Sequence, residues 1–508
     1  MSTETSRQRF PLFINGERAE PSTGAYIDVT NPATGDIIAQ VANGSSEDVD
    51  RAVAAARTAF DQGDWRKMAP QERSKILYKI ANLIMANAQE LALLEVAASG
   101  GTISRVMALD IPAVVDLFMT LAEEVKVFPF IENLPPRPLP EPVHCQVLKE
   151  PIGVCGLITA WNFPLMLAGM KLAPALAAGN TVVIKPATIT PTSTVRLIEI
   201  IAEALPKGVV NVITGPGSKI GDALTGHPAV DKISFTGSTD VGRNVQKMAA
   251  DTLKRVTLEL GGKGAAIVMA DADLERTAYG ALFGIYLNSG QACESGSRLL
   301  VHESIHDALL DKLATLSAEM VLGNPMDPAT AMGPMSTGSH GNNVLAYIDS
   351  AKEQGARIVC GGKRAEVAGC EGGFFVEPTV IADVTNDMKV AREEIFGPVL
   401  AVIKFSTTEE AIAIANDSDY GLSAGIWSED VVQAQAIARE LRAGSIWIND
   451  WHMMRTDAPF GGFKQSGYGR EFSKYSLASY VETKAISTSF ERSVRRKPLY
   501  RVVHKNLG

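Results

Sequence analysis

An α/β fold of two or more domains is what this sequence predicts, and three observations carry the prediction. Strand-like and helix-like segments alternate along most of the chain, the pattern of sheets covered by helices. The 508 residues exceed what one hydrophobic core usually supports. Two breaks interrupt the alternation: the run Leu134-Pro135-Pro136-Arg137-Pro138-Leu139-Pro140 and the glycine pair Gly261-Gly262.

The elements follow in order. Ser45 and Asp48 have the spacing of a capping box, with Val49, Val53, Ala56 and Phe60 at helical spacing behind them. Residues 153–158 form an apolar run that predicts a buried strand, 165–178 a helix and 181–184 a second strand, together a βαβ unit. The unit repeats, with strands at 209–213 and 232–235, a helix at 219–224 between them and another at 241–252. Proline blocks both helix and central strand, so the 134–140 run reads as a linker into an extended arm. A new α/β run begins after Gly262, and no internal repeat or low-complexity tract is visible.

Composition excludes several function classes. At 46% apolar and 21% charged the chain is not a disordered one, and its formal charge of -9 leaves no footprint for nucleic acid or an anionic membrane. The one basic cluster, Arg492, Arg495, Arg496, Lys497 and Arg501, reads as a solvated tail. Residues 1–10 are polar and lack the apolar region of a secretory signal. The uncharged stretch 151–170 is long enough to cross a bilayer. Thr159, Asn162, Pro164 and several glycines interrupt it, so a buried strand, a turn and a buried helix explain it better. A soluble protein with neither nucleic-acid nor membrane partner is expected. The five cysteines, Cys145, Cys155, Cys293, Cys360 and Cys370, are odd in number and show no CxxC spacing. Neither a disulfide framework nor a metal site is expected, and a reducing cytoplasm fits.

Four segments have the residue types of an oxidative site. Residues 236–242 lie at a strand-to-helix junction, where backbone N–H groups can hold a pyrophosphate. They match neither the Rossmann GxGxxG nor a P-loop, because Arg243-Asn244 follow the second glycine, and a mere tight turn reads equally well. Gly290-Gln291-Ala292-Cys293-Glu294 places a cysteine in a turn-rich segment. Such a cysteine is often a small buried hydrophobe. As a thiolate it could add to an aldehyde, giving a thiohemiacetal from which hydride leaves to a nicotinamide. Glu259, alone among apolar residues and glycines, must be paired, protonated or functional. Asn162 ends a buried strand, where ligands gather in open α/β sheets, and could donate to an oxyanion.

Together these segments resemble the aldehyde dehydrogenase superfamily. Trp161-Asn162-Phe163-Pro164, Lys185-Pro186, the Gly237–Gly242 turn, Glu259-Leu260-Gly261-Gly262 and Gly290-Gln291-Ala292-Cys293 occur in the family's order and approximate spacing. So do 393–398 (Glu393-Glu394-Ile395-Phe396-Gly397-Pro398) and 459–467, and near the N-terminus 13–16 and 31–35. The resemblance runs from Phe13 to Thr488. It implies a Rossmann-type cofactor domain (1–131 and 149–261) and an α/β catalytic domain (262–475). It also implies a small β arm for homo-oligomerisation (132–148 and 476–490), which leaves 491–508 as a tail.

The resemblance also implies roles. Cys293 is the nucleophile, expected as a partly exposed, activated thiol between the domains; Glu259 activates the hydrolytic water; Asn162, with the Cys293 N–H, forms the oxyanion hole. NAD or NADP is expected against Ile158, Ala160, Trp161, Lys185, Thr188, Gly217, Gly221, Phe235, Thr236, Gly237, Ser238, Val241, Leu260, Gly261, Glu394 and Phe396. The aldehyde channel is expected from Phe163, Met166, Met170, Phe283, Leu287, Trp451, Met454 and Phe460, a lining that points to a medium or long aliphatic or an aromatic aldehyde. Arg455 lies close in sequence and could instead pair with an acidic group. A homodimer or homotetramer is the implied assembly. Two positions depart from the family: Thr188 stands where NAD-selective members often carry Glu, and Gly264 where a polar residue is usual. Two rival readings are a CoA-acylating enzyme, which retention of Glu259 disfavours, and an inactive structural member, which intact Cys293, Glu259 and Asn162 disfavour.

Overall fold

The computed structural model describes residues 8–137 and 140–507. Pro138 and Leu139 of the proline run, the first seven residues and the last lie outside it. Two large sheets organise the molecule. The first has eight strands in the order Gly467–Tyr468, Arg255–Glu259, Lys232–Thr236, Val154–Ile158, Thr181–Lys185, Val210–Val212, Leu12–Ile14, Glu17–Ala19. Its five central strands from Arg255–Glu259 to Val210–Val212 are parallel and its outer pairings antiparallel. Strands buried on both faces need apolar residues throughout, and Val154–Ile158 and Thr181–Lys185 are buried at every position.

Helix Pro164–Ala178 joins those two strands. Proline near its start supplies a fixed φ, and Gly179 at φ 96° ends it in the left-handed region. Fourteen of its fifteen residues are buried, which is why its sequence reads like a membrane segment. Among the described residues no single helix is long and apolar enough to cross a membrane, although the bent pair Pro70–Ala86 and Ala88–Ser99 passes on length and composition. Helix Ser46–Asp61 starts as its sequence predicts, with the Ser45 N–H donating to the Asp48 carboxylate at 2.9 Å. The 219–224 helix is instead a π-helical turn, Gly217–Gly221, continued by the short helix Asp222–Gly226.

The second sheet has seven strands, ordered Arg357–Cys360, Thr379–Ala382, Val399–Phe405, Arg298–His302, Ala265–Val268, Ser423–Trp427, Ser445–Ile448, and all pairings but the first are parallel. A third, antiparallel sheet joins Ile131–Asn133, Val143–Pro151 and Val481–Ser489, the last two in register from Pro151 opposite Val481 to Val143 opposite Ser489. Residues 460–478, placed by sequence with the second lobe up to 475, are shared: Phe463–Lys464 pairs with Tyr420–Gly421, while other parts return to the first. Gly467–Tyr468 adds to the first sheet's edge, and Phe460, Phe472 and Leu477 join the first core. The apolar faces of these residues match helix Pro164–Ala178 and its neighbours, which overrides chain proximity.

Candidate active site

A cavity of about 370 Å³ lies where strands Val154–Ile158, Lys232–Thr236 and Arg255–Glu259 of the first sheet end, beside the loop that carries Cys293. At one end are Thr236, Gly237 and Ser238, at the ends of strand Lys232–Thr236 and helix Thr239–Ala250. Ser238 caps that helix, its hydroxyl accepting from the Val241 N–H, so the free N–H groups of the first turn face the junction. Leu260, Gly261, Glu394, Phe396, Ala160 and Trp161 continue the wall. The Glu394 carboxylate accepts the Gly262 N–H at 2.9 Å, and burial raises its acid to about 7. Phe396, at φ 58°, sets its ring edge-on to Trp161 at 5.3 Å.

Cys293 lines the same cavity. The turn before it runs through three left-handed residues, Asn288, Ser289 and Gly290 (φ 53°, 57° and 72°). Side-chain bonds hold that turn: the Gln291 Nε2 donates to the Asn288 carbonyl at 3.0 Å, and the Ser336 N–H donates to the Gln291 Oε1 at 2.9 Å. The Asn162 Nδ2 donates to the Gln291 carbonyl at 2.9 Å, and the Asn288 Nδ2 donates to the Asn162 carbonyl at 3.0 Å. Asn162 is thus locked across from the cysteine loop with its amide on the cavity wall.

Gly262 and Gly264 let the loop sit this close. A Cβ on Gly262 would collide with the Cys293 carbonyl, and one on Gly264 would come within 2.6 Å of the Ser295 carbonyl and 2.8 Å of the Ser423 hydroxyl. The unusual Gly264 therefore has a steric reason.

Electrostatics differ from the sequence expectation. Cys293 is half-buried, but its thiol is not activated by its neighbours. Burial, and then the Glu294 carboxylate, push it well above the usual thiol range. Glu259 is 3% exposed, does not line the cavity, and neither of its carboxylate oxygens has a hydrogen-bond partner. Burial, and then Glu471, raise its acid well above the ordinary value. Glu471 itself pairs with the buried Lys171 at 2.8 Å.

The other predicted residues divide into three groups. Phe163, Met166, Met170, Phe283, Leu287, Met454 and Phe460 line the cavity. Lys185, Thr188, Gly217, Gly221, Phe235, Val241 and Ile158 do not line it and lie around the first sheet's strand ends. There the Thr188 hydroxyl donates to the Gly215 carbonyl at 2.9 Å. Lys185 is buried, donates to the Pro186 carbonyl at 3.0 Å and pairs with no carboxylate among the described residues. Burial lowers its ammonium to about 8. A buried cation with no carboxylate partner, at a strand end of the same sheet as a capped helix start, fits an anionic dinucleotide.

Trp451 is the correction. It does not line the cavity: it is 1% exposed, stacks on Trp427 at 5.9 Å and donates from Nε1 to the Glu294 carbonyl at 2.9 Å. Its neighbour His452 lines the cavity instead. Arg455 pairs with Asp457 at 2.7 Å and takes no place in the wall. Sequence reasoning also missed Leu109, Asp110, Ala113, Leu167 and Glu294. Only Glu294 carried a signal, as a second carboxylate adjoining the cysteine.

A thiol beside a locked amide donor, between an apolar channel and a helix start, defines a thiol enzyme acting on a carbonyl compound with a nucleotide cofactor. Comparison with known proteins makes the class specific. The model of the aldehyde dehydrogenase family matches residues 19–486. The betaine aldehyde dehydrogenase of Bacillus subtilis is 42% identical over 478 residues, 94% of this chain and 96% of that protein. The crystal structure of betaine aldehyde dehydrogenase from Staphylococcus aureus in complex with NAD+ has a TM-score of 0.93 at 40% identity, covering 96% of each chain. An NAD-dependent aldehyde dehydrogenase from Sinorhizobium meliloti gives 0.92 at 40% identity, covering 96% of each chain. The chain belongs to the aldehyde dehydrogenase family and is an NAD(P)-dependent enzyme of that family.

Proposed function

We propose that this enzyme oxidises an aldehyde with an apolar body to its carboxylate through a thioester on Cys293, with water as the final acyl acceptor. The observation that carries the reading is the Cys293 loop tied to the Asn162 amide, with both residues lining one cavity. Attack by Sγ moves charge onto the carbonyl oxygen, and a fixed amide donor stabilises that charge without reorganising. The first lobe would hold the cofactor at the Ser238 helix start, with Lys185 and Glu394 beside it. When bound, the nicotinamide supplies the hydride acceptor. Glu259 would act later, as the base that takes a proton from water attacking the thioester. Its acid is held well above the usual carboxylate range, which makes it a stronger base once ionised. We place the enzyme in the cytoplasm as a homodimer or homotetramer.

The seven apolar side chains expected for the aldehyde channel that line the cavity favour a medium or long aliphatic or an aromatic aldehyde. The names of the relatives favour a second reading, betaine aldehyde. Against it, the acids of the wall already have partners: Asp110 pairs with Arg105 at 2.8 Å, Glu294 lies 3.1 Å from His452 and Glu394 accepts the Gly262 N–H at 2.9 Å. None of the three stands alone to meet a quaternary ammonium. The test is NAD(P)H formation with hexanal, benzaldehyde and betaine aldehyde, with and without CoA. The highest kcat/KM is expected for the apolar aldehydes, with no dependence on CoA. Preference for betaine aldehyde would overturn the substrate, and a CoA requirement the acceptor. Cys293→Ala should fold and lose oxidation completely; residual turnover would remove Cys293 from the mechanism.

A further inference from the structure

Glu294 touches the nucleophile. Its Oε2 lies 3.2 Å from the Cys293 Sγ and accepts the thiol hydrogen, while its Oε1 lies 3.1 Å from the His452 Nδ1. All three residues line the same cavity. The Glu294 side chain is 5% exposed and the His452 side chain 3%. The arrangement is rigid. The Glu294 carbonyl accepts from both the Ser423 hydroxyl and the Trp451 indole, each at 2.9 Å. The His452 ring packs edge-on against Phe283 at 5.2 Å. Glu259, by contrast, is behind the wall, and Glu394 is engaged by the Gly262 N–H.

We propose that Glu294 is the base that takes the Cys293 proton as the thiol attacks the aldehyde, and that His452 is a positioning residue holding its carboxylate on Sγ. The proposal rests on Cys293 being the nucleophile. The step balances without a further reagent. The S–H bond breaks and its proton passes to the Glu294 Oε2. The sulfur pair forms the C–S bond, and the C=O π pair moves to oxygen, opposite Asn162. One negative charge leaves a carboxylate and arrives on the oxyanion, so the total charge of the dry site is unchanged.

That constancy matters here. A free thiolate would share its surroundings with the carboxylates of Glu294, Glu394 and Glu259, all of which oppose its ionisation. Burial pushes the Glu294 acid up, but His452 and the Cys293 S–H pull it down further, so it rests as a carboxylate below its ordinary range. The proton therefore moves during C–S bond formation rather than before it, as general base catalysis allows.

The test compares the rapid phase of NAD(P)H formation in the parent, Glu294→Gln, Glu294→Ala and His452→Phe, with folding checked by circular dichroism. Glu294→Gln keeps the shape and is expected to slow the first turnover by about a hundred-fold or more, the low end of general base effects. The rapid phase should then vanish, because acylation becomes limiting. Added formate should restore the Glu294→Ala rate in proportion to its concentration, which a structural role would not give. His452→Phe should slow the first turnover less and still show the parent's indifference to formate. An unchanged or faster first turnover in Glu294→Gln would overturn the proposal, as would failure of formate to rescue a folded Glu294→Ala. Loss of all oxidation in Cys293→Ala beside a normal Glu294→Gln would dismiss Glu294 alone. Oxidation surviving in Cys293→Ala would dismiss the nucleophile itself.

Discussion

Glu259 and Glu294 are two buried carboxylates with opposite surroundings, and their substitutions should separate kinetically. Glu259 has no hydrogen-bond partner and is not among the residues lining the cavity, so no bond ties it in place before the thioester forms. Glu259→Gln should keep a rapid first release of NAD(P)H and then turn over about a hundred- to ten-thousand-fold more slowly. A parental steady rate would leave Glu259 a structural residue. Cofactor choice is also decided by single residues. Thr188 is neutral and already bonded to Gly215, and Lys185 is an unpaired cation nearby. No carboxylate at Thr188 repels a 2′-phosphate, so NADP should be accepted alongside NAD or in preference to it. Thr188→Glu should lower kcat/KM for NADP with little loss for NAD. The Lys185 ammonium is held near 8 by burial, so it is charged below that pH and neutral above it. The KM for NADP should accordingly rise between pH 7 and 9, more than that for NAD. A parent enzyme that rejects NADP would contradict this account. The residue types of Cys293, Asn162 and Glu259 were legible because each role demands one chemistry. Which of Trp451 and His452 faces the cavity was not legible, since a loop has no fixed periodicity to say which way successive side chains turn.

At the scale of elements, legibility followed burial. Four of the eight strands of the first sheet, Val154–Ile158, Thr181–Lys185, Val210–Val212 and Lys232–Thr236, are buried at every position, and each lies within one residue of its expected bounds. The capping residues of Ser46–Asp61 likewise mark its start. Two features escaped for stated reasons. The π-helical turn Gly217–Gly221 has helical spacing too short to distinguish from an α-helix. Strand Gly467–Tyr468 has only two residues, too few for any alternation, and its place beside Arg255–Glu259 depends on a pairing more than two hundred residues long in sequence. Sheet order as a whole is a long-range property, and local pattern is silent on it.

For the whole molecule the open question is assembly. The third sheet is thin and unprotected. Strand Val481–Ser489 is exposed along eight of its nine residues, and Ile131, Ile486 and Phe490 are 62%, 42% and 67% exposed. A long unpaired edge carrying apolar side chains invites another chain. A symmetric oligomer would cover it. Light scattering at micromolar concentration should therefore give two or four chains. Truncation after Tyr480, which keeps that buried side chain, should shift the population toward the monomer. A monomeric parent would contradict the assembly. The proline run announced the arm in the sequence, but its exposure could be learned only from the packed chain.

Trp451 has a consequence of a different kind. Its indole fills a slot lined by four glycines, Gly264, Gly284, Gly296 and Gly425, and a Cβ on any of them would press on the ring. The five positions therefore form a lock and key within one chain. A lineage that replaced Trp451 with a smaller residue would release Gly284, Gly296 and Gly425 to vary, whereas Gly264 would still be held by the Ser295 carbonyl. Beyond the lock, the loop from His452 onward hangs from Trp451 like a blade from its hilt. Blades of other sequence could be exchanged there, altering which aldehydes enter while the hilt keeps its seat against Glu294.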